Sequence, residues 1–320
     1  MLKSSLGTLQ TATGNLYGFL YLPDKPVQEI MAPILGVTSL GDLPVAQGER
    51  LVWGRRTYVM GIINLSPDSF SGDGLGSDLR AIVDLAKRFE AEGADFLDVG
   101  AESTRPGSAP IPVEEELSRL MPALEAILPQ VSLPVSVDTY KSRVARRAVE
   151  AGVAMINDIW GLKFDPEIAA VAAEAGAPLI IMHNQQTRQY RDLLPDVLAS
   201  LSHSIEVAGA AGVPAENIII DPGIGFGKTP DHNLEVLGRL GEFKALGYPL
   251  LVGTSRKSTI GLVLGGLPVN QRLEGTAATV ALSIAGGADI VRVHDVREMV
   301  RVCRMADAIV RGWRPEGWSR

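Results

Sequence analysis

Cysteine, histidine and aromatic residues are scarce in this 320-residue sequence, which has one cysteine, four histidines and 5% aromatic residues. The single cysteine, Cys303, excludes an internal disulfide, and its place in a helical pattern favours a buried thiol over a nucleophile. The sequence has no H-E-x-x-H motif and no spaced group of cysteines and histidines, so we expect no zinc site. If a metal binds, we expect oxygen ligands, which Mg²⁺ prefers.

Long apolar runs and excess positive charge are also absent. No uninterrupted run of about 18 apolar residues occurs, which argues against a membrane-spanning helix, and the first ten residues lack the apolar core of a signal peptide. We therefore expect a cytoplasmic protein with no membrane partner. The net charge of −7 argues against a nucleic-acid partner. An anionic small molecule remains possible, because a few locally placed cations can outweigh the global charge.

The sequence does contain a repeated alternation of short apolar runs with longer segments of helical periodicity. Eight such runs occur after residue 57, and several of the helical patterns end at a glycine, as helix C-caps do. Alternation of this kind predicts a parallel sheet covered by helices, and eight units in about 250 residues fit a (β/α)₈ TIM barrel. The runs are Tyr58–Ile63, Ala94–Val99, Pro134–Val137, Val153–Ile156, Pro178–Met182, Asn217–Ile220, Pro249–Val252 and Asp289–Val293.

The alternative fold is an open Rossmann-like sheet, but no G-x-G-x-x-G motif follows the first strand. We assign residues 50–320 to the barrel domain and residues 1–49 to an N-terminal extension of unknown role. Arg50–Trp53 and Arg56–Tyr58 are expected to form a hairpin around Gly54 that covers the N-terminal end of the barrel. The longest helical pattern covers residues 259–285.

Polar residues follow nearly every predicted strand, where barrel enzymes carry their active sites. Exposure alone would explain any one polar loop residue, so the evidence is the whole set. Arg292 and His294 are two positions apart, so their side chains leave one face of the last strand together. We expect a cluster of cations above a floor of carboxylates at the barrel mouth. The cations are Arg105, Lys257, Arg292 and His294, and the carboxylates are Asp98, Asp138 and Asp221.

A glycine-rich loop follows the sixth predicted strand, at Asp221–Thr229. It misses the nucleotide-binding G-x-x-x-x-G-K-[ST] motif by one residue, because Pro222 stands at the first position, so we exclude a nucleoside triphosphate. A turn that lets a flat ligand approach the backbone explains the glycines better. The G-x-S-x-G elbow and a Ser-His-Asp arrangement are also absent, so a covalent nucleophile is not expected.

These strand-end blocks, taken in order, resemble the dihydropteroate synthase family, and the resemblance covers residues 50–312. The blocks are Gly61–Ser71, Asp98–Gly107, Ser136–Thr139, Ile156–Asp158, Asp221–Lys228, Ser255–Lys257 and Arg292–Asp295. The resemblance implies a transferase that joins 6-hydroxymethyl-7,8-dihydropterin diphosphate to 4-aminobenzoate. The products would be 7,8-dihydropteroate and diphosphate, with Mg²⁺ as cofactor. It also implies a homodimer, formed through the helices that follow the last strands.

The resemblance also implies a role for individual residues of this chain. The implied pterin-binding set is Asp138, Asn157, Met182, Asp221, Phe226 and Lys257. The implied 4-aminobenzoate set is Phe70, Thr104, Pro106 and Ser255. The implied diphosphate set is Asn64, Thr104, Arg105, Arg292 and His294, with Asn64 as the Mg²⁺ ligand and Asp98 on the same side. The residues implied to act in catalysis are Asp98, Arg105, Lys257, Arg292 and His294.

Three segments depart from the family pattern. Ala101 stands where a second glycine is common, and a methyl group there should be tolerated. Ser71–Gly74 has a different order of glycine and aspartate, and Asn184–Thr187 lacks the frequent Arg-Gly-Thr, which affects the contacts of those two loops. None of the three removes a residue to which chemistry is assigned.

Two other functions fit the same pterin-binding residues. The first is a methyltransferase that uses a reduced pterin and a corrinoid partner, which would need neither the anchor at Ser103–Pro106 nor the loop at Ser66–Ser71. The second is a non-catalytic paralogue that binds a pterin for storage or regulation. The presence of every assigned polar residue argues against the second.

Overall fold

The structure is a computed structural model that describes residues 43–44, 50–66, 78–103 and 108–318. The strands are β1 (Leu43–Pro44), β2 (Arg50–Leu51), β3 (Tyr58–Asn64), β4 (Phe96–Gly100), β5 (Val135–Asp138), β6 (Met155–Asp158), β7 (Leu179–Met182), β8 (Ile218–Asp221), β9 (Leu251–Val252) and β10 (Ile290–Val293). The described α-helices are α1 (Leu79–Glu92), α2 (Val113–Ile127), α3 (Ser142–Glu150), α4 (Glu167–Ala175), α5 (Leu193–Ala210), α6 (Pro230–Gly238), α7 (Ser258–Val263), α8 (Leu273–Ala285) and α9 (Val296–Val310). Short 3₁₀ helices lie at Ala215–Asn217, Leu240–Leu246 and Val269–Gln271.

Strands β3 to β10 form one eight-stranded sheet in the order β8-β7-β6-β5-β4-β3-β10-β9. Each paired neighbour in this sheet is parallel. A parallel bridge between Ile220 of β8 and Leu250 beside β9 joins the two edges, and the Ile220 N–H donates to the Pro249 carbonyl at 2.9 Å. The sheet is therefore closed, which confirms the (β/α)₈ barrel and excludes the open Rossmann-like alternative.

Side chains along each strand alternate between the barrel interior and the helix layer. A cluster of buried apolar residues fills the interior. Two positions further along several strands, towards their C-terminal ends, the same inward face carries predicted site residues. The interior cluster is Leu51, Tyr58, Met60, Phe96, Met155, Ile180, Ile219, Leu251 and Ile290. The pairs two residues apart are Phe96 and Asp98, Met155 and Asn157, Ile180 and Met182, Ile219 and Asp221, and Ile290 and Arg292. The strand period thus places an apolar plug below a polar layer at the C-terminal end of the barrel.

The hairpin at the N-terminal end of the barrel has different partners from those predicted. Arg50–Leu51 pairs antiparallel with Leu43–Pro44, upstream of it, rather than with Arg56–Tyr58 downstream. The reason is that Tyr58 begins β3, where its backbone N–H donates to the Asp289 carbonyl at 2.9 Å. Leu51 nevertheless belongs to the interior cluster and Trp53 packs against it, so the hairpin region does cover this end of the barrel. The predicted domain boundary at residue 50 falls between the two paired strands.

The long helical pattern at residues 259–285 is divided between two helices, α7 and α8. Gly265 and Gly266 lie between them with φ values of 78° and 89°, in the left-handed region that favours glycine and ends a right-handed helix. Apolar residues occur throughout both segments, so the break between the two helices is not evident from the apolar pattern alone. None of the described helices is both long and apolar enough to cross a membrane.

Candidate active site

The polar layer at the C-terminal end of the barrel is organised around Arg292 of β10. Its Nε donates to Asp98 Oδ2 at 2.6 Å and its Nη2 donates to Asp138 Oδ2 at 2.7 Å. Asn157 Nδ2 also donates to Asp98 Oδ2, at 3.1 Å. One planar guanidinium therefore bridges carboxylates from two other strands, as its fork of donors allows. Arg292, for which the resemblance implies a diphosphate role, is therefore hydrogen-bonded to the carboxylate floor as well.

Two carboxylate oxygens of this floor have no partner within the part of the chain that the structure describes. Asp98 Oδ1 and Asp138 Oδ1 are buried and have no hydrogen-bond partner among the described residues. Burial raises the pKa of Asp138 to about 7, and the neighbouring Asp98 adds to the rise, while Arg292 opposes it. A buried acceptor without a donor is costly. These two oxygens are therefore placed to accept N–H groups from a ligand.

Asp221 and Lys257 form the opposite wall. Asp221 Oδ1 accepts the Gly223 backbone N–H at 2.7 Å, and burial raises the pKa of Asp221 while Lys257 lowers it. Lys257 Nζ donates to the Ile224 carbonyl and lies 4.7 Å from the centre of the Phe226 ring. Burial lowers the pKa of Lys257 to about 8, partly offset by Asp221. A flat ligand on this wall would meet a carboxylate edge, an ammonium group and an aromatic face.

The short segment that carries Ser255 and Lys257 is held by the residue between them. Arg256 has φ 58°, a left-handed conformation that is uncommon for a non-glycine residue. Its guanidinium donates to both oxygens of Asp295, at 3.0 and 2.5 Å, and its backbone N–H donates to Thr276 Oγ1 at 3.1 Å. These bonds offset the conformational cost, so Ser255 and Lys257 project from a fixed turn.

Ser255 also sets the state of His294 at the rim. The Ser255 hydroxyl oxygen accepts the His294 backbone N–H at 3.1 Å and lies 2.9 Å from His294 Nδ1. Burial, with Arg256 and Arg292 nearby, lowers the pKa of His294 to about 3, so the ring is neutral at pH 7. In the tautomer in which the hydroxyl donates to Nδ1, the ring proton is on Nε2. His294 is thereby able to donate a neutral hydrogen bond to an anion.

The glycine-rich loop after β8 owes its glycines to contacts within the protein. A Cβ atom at Gly223, where φ is 70°, would lie 1.9 Å from the His183 carbonyl oxygen, so the loop can approach the next strand end only without a side chain. Lys228, which ends the near-match to a nucleotide-binding motif, points inward. Its Nζ donates to His183 Nδ1 at 2.9 Å and to the Gly223 carbonyl at 3.1 Å. It braces the loop and is not available to a phosphate, in line with the exclusion of a nucleoside triphosphate.

The loop after β7, where the sequence departs from the family pattern, packs against this glycine-rich loop. Tyr190 Oη donates to the Gly227 carbonyl at 2.8 Å, and Gln185 Nε2 donates to the Gln189 carbonyl at 3.1 Å. Lys163 Nζ donates to the Asn184 carbonyl and to Ser200 Oγ. The different residues at Asn184–Thr187 thus come with their own set of stabilising contacts.

The predicted pterin residues come together in one pocket. It is lined by Ile62, Asp138, Asn157, Ile159, Met182, Asp221, Phe226, Gly253, Ser255, Lys257, Arg292 and His294. All six predicted pterin residues are in that set, together with Ser255, Arg292 and His294. Asp98 is fully buried beneath them, and Asn64 is the last residue of β3. The predicted residues Phe70, Thr104, Arg105 and Pro106 lie outside the described residues.

Sequence reasoning missed a buried charged cluster beside this pocket. It consists of Glu102, Glu116 and Lys141, with Thr139 and Tyr140 as hydrogen-bond donors to its carboxylates. Lys141 and Tyr140 donate to the two carboxylate oxygens of Glu102. Lys141 lies only three residues after Asp138, so its position beyond a strand end was the one signal that could have found it.

We expect a plot of kcat/KM against pH, for a substrate of this pocket, to be bell-shaped. Activity should rise as Asp138 ionises with a pKa of about 7 and should fall as Lys257 loses its proton with a pKa of about 8, because the free enzyme must hold both charges. Initial rates at subsaturating substrate between pH 5.5 and 9.5 measure the profile. Asp138→Asn should abolish the acid limb and Lys257→Gln the alkaline limb. A limb that survives its own substitution would contradict that assignment.

The closed barrel and its pocket define a class of protein, a (β/α)₈-barrel enzyme that holds a ligand with several N–H donors against buried carboxylates. A family model described as a pterin-binding enzyme matches residues 60–294. The chain is 52% identical to dihydropteroate synthase of Clostridium beijerinckii over 259 residues, which are 81% of this chain and 96% of that protein.

Solved structures give the same result. A dihydropteroate synthase from Clostridium difficile in the presence of pteroic acid has a TM-score of 0.78 and 48% identity, covering 81% of this chain and 98% of that one. A Xanthomonas albilineans dihydropteroate synthase with 4-aminobenzoic acid has a TM-score of 0.79 and 40% identity, covering 85% and 98%. The chain belongs to the pterin-binding enzymes and, among them, to the dihydropteroate synthase family of folate-biosynthesis transferases. The resemblance found in the sequence is confirmed.

Proposed function

We propose that the pocket at the barrel mouth condenses 6-hydroxymethyl-7,8-dihydropterin diphosphate with 4-aminobenzoate to give 7,8-dihydropteroate and diphosphate. The observation that carries this proposal is the convergence of Asp138, Asn157, Asp221 and Lys257 in one pocket. A pterin ring presents adjacent N–H donors and ring acceptors on one edge, and this set supplies their complements. The ligands named for the related solved structures, pteroic acid and 4-aminobenzoic acid, are a relative of the product and one substrate.

The reaction breaks the C–O bond between the pterin methylene and diphosphate and forms a C–N bond to the amine of 4-aminobenzoate. The amine loses one proton, which passes to water or to the departing diphosphate. Positive charge develops at the methylene as the C–O bond opens, and we propose that the carboxylates of Asp98, Asp138 and Asp221, which are all buried, stabilise that charge. Arg292 and the neutral His294 can donate hydrogen bonds to the departing anion. The proposal requires no covalent enzyme intermediate.

Magnesium is proposed as the cofactor, with Asn64 as its protein ligand. Asn64 is two residues beyond Ile62, which lines the pocket and pairs with Asp98 across the sheet, so its side chain lies on the same inward face. Among the described residues, no group of three or more His, Cys, Asp or Glu side chains could hold a metal. One amide oxygen fits Mg²⁺, which keeps waters and substrate phosphate oxygens around a few protein ligands. When bound, Mg²⁺ would offset the charge of the diphosphate.

The test is a direct assay of diphosphate release with both substrates and Mg²⁺, followed by identification of the pterin product by mass. We expect release that depends on 4-aminobenzoate and on Mg²⁺. Transfer of a methyl group without diphosphate release would favour the pterin-dependent methyltransferase. Pterin binding without turnover under these conditions would favour the non-catalytic paralogue.

We also propose that the chain forms a homodimer through the helices that follow the last strands. Several large apolar side chains on this side of the barrel are more than 40% exposed, and α8 and α9 pack side by side there. They are Leu262, Val263, Leu264, Leu282, Met305 and Ile309. Exposed large apolar side chains grouped on neighbouring helices are typical of an interface between subunits, and pairing by a twofold axis would bury the same side chains on both copies.

Leu282→Glu should convert the proposed dimer to a monomer. Leu282 is 67% exposed on α8, so in the monomer the change is on the surface, whereas in the dimer it would bury an unpaired charge. Sedimentation velocity of both proteins at the same concentration measures the change. Phe164→Glu is the control, because Phe164 is 58% exposed in the segment after β6, and β6 lies opposite β10 in the eight-stranded order. A wild-type monomer, or an unaffected Leu282→Glu dimer, would contradict the proposal.

A cytoplasmic location is proposed on the basis of the single cysteine. Cys303 is buried and free, and burial raises the pKa of its thiol, so it is compatible with a reducing compartment and with a structural rather than a reactive role. Fractionation of cells that produce the protein tests the location.

A further inference from the structure

A single buried ammonium group joins both ends of the loop after β4. Lys141 Nζ donates to Glu102 Oε2, at the N-terminal end of that loop, and to the Ile111 carbonyl, at its C-terminal end, at 2.7 Å. The hydroxyl oxygens of Ser103 and Ser108 are 2.9 Å apart, which closes the same loop a second time. Residues 104–107, between these two serines, lie outside the described residues.

The ends are held by a cluster that is almost closed to solvent. The side chains of Lys141, Glu102 and Glu116 are 9%, 6% and 1% exposed. Lys141 Nζ donates to Glu116 Oε2 at 2.6 Å, and Thr139 Oγ1 donates to the other oxygen of Glu116 at 2.7 Å. Tyr140 Oη donates to the second oxygen of Glu102. Every carboxylate oxygen of the cluster is therefore used, and the positions of both side chains are determined.

Burying these three charged side chains has a desolvation cost that stability alone does not explain. Two carboxylates share one ammonium, and burial raises the pKa of Glu116 in spite of Lys141 and Thr139. Buried ion pairs often contribute less to stability than apolar residues of the same size. Their geometry is nevertheless specific, and this one links β5, whose Asp138 belongs to the pocket floor, to the loop that contains Arg105.

We propose that Lys141 is a positioning residue for this enzyme, which fixes the two described ends of the loop after β4 through Glu102 and Ile111. The proposal rests on the proposed function, in which that loop contributes Arg105 to the diphosphate and Thr104 and Pro106 to 4-aminobenzoate. Lys141 does not line the pocket that holds the pterin residues. It acts through Glu102 and Ile111, so its loss should affect the substrate groups that the loop serves and spare the pterin ring.

The experiment compares Lys141→Gln with Lys141→Arg and measures two quantities. The affinity for 6-hydroxymethylpterin, which has no diphosphate, reports on the floor of the pocket, and the KM values for pterin diphosphate and 4-aminobenzoate report on the loop. We expect Lys141→Gln to keep its pterin affinity within about twofold and to raise both KM values about tenfold, as misplacement of a binding group does. Lys141→Arg, which retains the charge and the donors, should recover most of the loss.

Lys244→Gln is the matched control. Lys244 Nζ donates to Asp289 Oδ2 at 2.6 Å, and the two side chains are 8% and 2% exposed, so this pair is as buried as the Lys141 cluster. It lies at the N-terminal end of the barrel, because Asp289 directly precedes β10. Lys244→Gln should lower the thermal unfolding temperature and leave both KM values unchanged.

Each outcome decides. Unchanged KM values in folded Lys141→Gln would overturn the proposal, as would a loss of pterin affinity equal to the loss of kcat/KM. If glutamine prevents folding, Glu102→Gln replaces it, because Lys141 then remains paired one to one with Glu116. Glu102→Gln should raise both KM values, and wild-type values would overturn the proposal. Diphosphate release by the wild-type protein is measured before any variant is compared. If the wild-type protein releases none, the proposed function is refuted, and not the role of Lys141.

Discussion

Replacement of Arg292 with methionine is expected to lower kcat/KM about a thousandfold and to destabilise the fold by about 3–5 kcal/mol. The guanidinium donates to Asp98 at 2.6 Å and to Asp138 at 2.7 Å, so its loss removes the cation that is hydrogen-bonded to both buried carboxylates. Asp138, whose pKa is already raised by burial, should then be protonated at pH 7 and lose its charge for the pterin edge. Rates of diphosphate release and urea unfolding measure the two effects.

Arg311→Met separates the catalytic effect from the structural one. Arg311 is also a buried arginine between two aspartates, with Nε 2.9 Å from Asp307 and Nη1 3.9 Å from Asp289, but it lies at the opposite end of the barrel. We expect Arg311→Met to lose stability and to keep its turnover per folded molecule. Arg292→Lys, which restores the charge without the planar fork, should recover stability more than activity. An Arg292→Met enzyme with turnover near that of the wild type would remove Arg292 from the chemistry.

Asp221→Asn is expected to weaken pterin binding about a hundredfold with little loss of stability. Asn can still accept the Gly223 N–H through Oδ1, a bond that is 2.7 Å in the native protein, so the loop after β8 should keep its shape. The other oxygen becomes an NH₂ group, which cannot accept the N–H donors of a pterin ring. One charge-assisted hydrogen bond, about 1.5–3 kcal/mol, is at stake.

Isothermal calorimetry with the pterin diphosphate measures this loss directly. Asp221 is the group that raises the pKa of Lys257 most, so the alkaline limb of the pH profile should also move to lower pH in Asp221→Asn. Asp95→Asn is the control, because Asp95 accepts the Val59 N–H at 2.8 Å and pairs with Arg56 at the other end of β4. Wild-type pterin affinity in Asp221→Asn would show that the pterin edge does not contact Asp221.

Much of the site could be predicted from the sequence because it follows from local periodicity. A strand of period two places Asn157 two residues after the interior Met155, and Asp221 two residues after Ile219, on the same inward face. Eight parallel strands then bring every such residue to one end of the barrel. No information about distant contacts is needed for this step. The full pterin set, which includes Phe226 in the loop after β8, came from the family resemblance, and the pocket contains all six of its residues.

The contacts that tune these residues could not be predicted, because they join parts of the chain that are far apart. Arg292 meets Asp98 across 194 positions and Asp138 across 154. The sequence indicated a positive charge at the mouth but gave no sign that it would be shared with the floor. In the same way, Lys228 resembled a phosphate-binding lysine, and only its bonds to His183 and Gly223 show that it braces a loop.

The sequence by itself determined the barrel and the set of residues at its mouth, because both depend on alternation along single strands and helices. The tertiary structure decided which of those residues are paired and charged. It also decided the hydrogen bonds of Lys141 to Glu102, Glu116 and the Ile111 carbonyl. The physical reason is that burial and the distances between side chains determine the pKa values and which carboxylate oxygens lack a partner. Burial and these distances exist only once the eight strands have closed into the barrel. The sequence determines that polar residues follow the strands at the barrel mouth. The fold determines which of them donate and which accept hydrogen bonds.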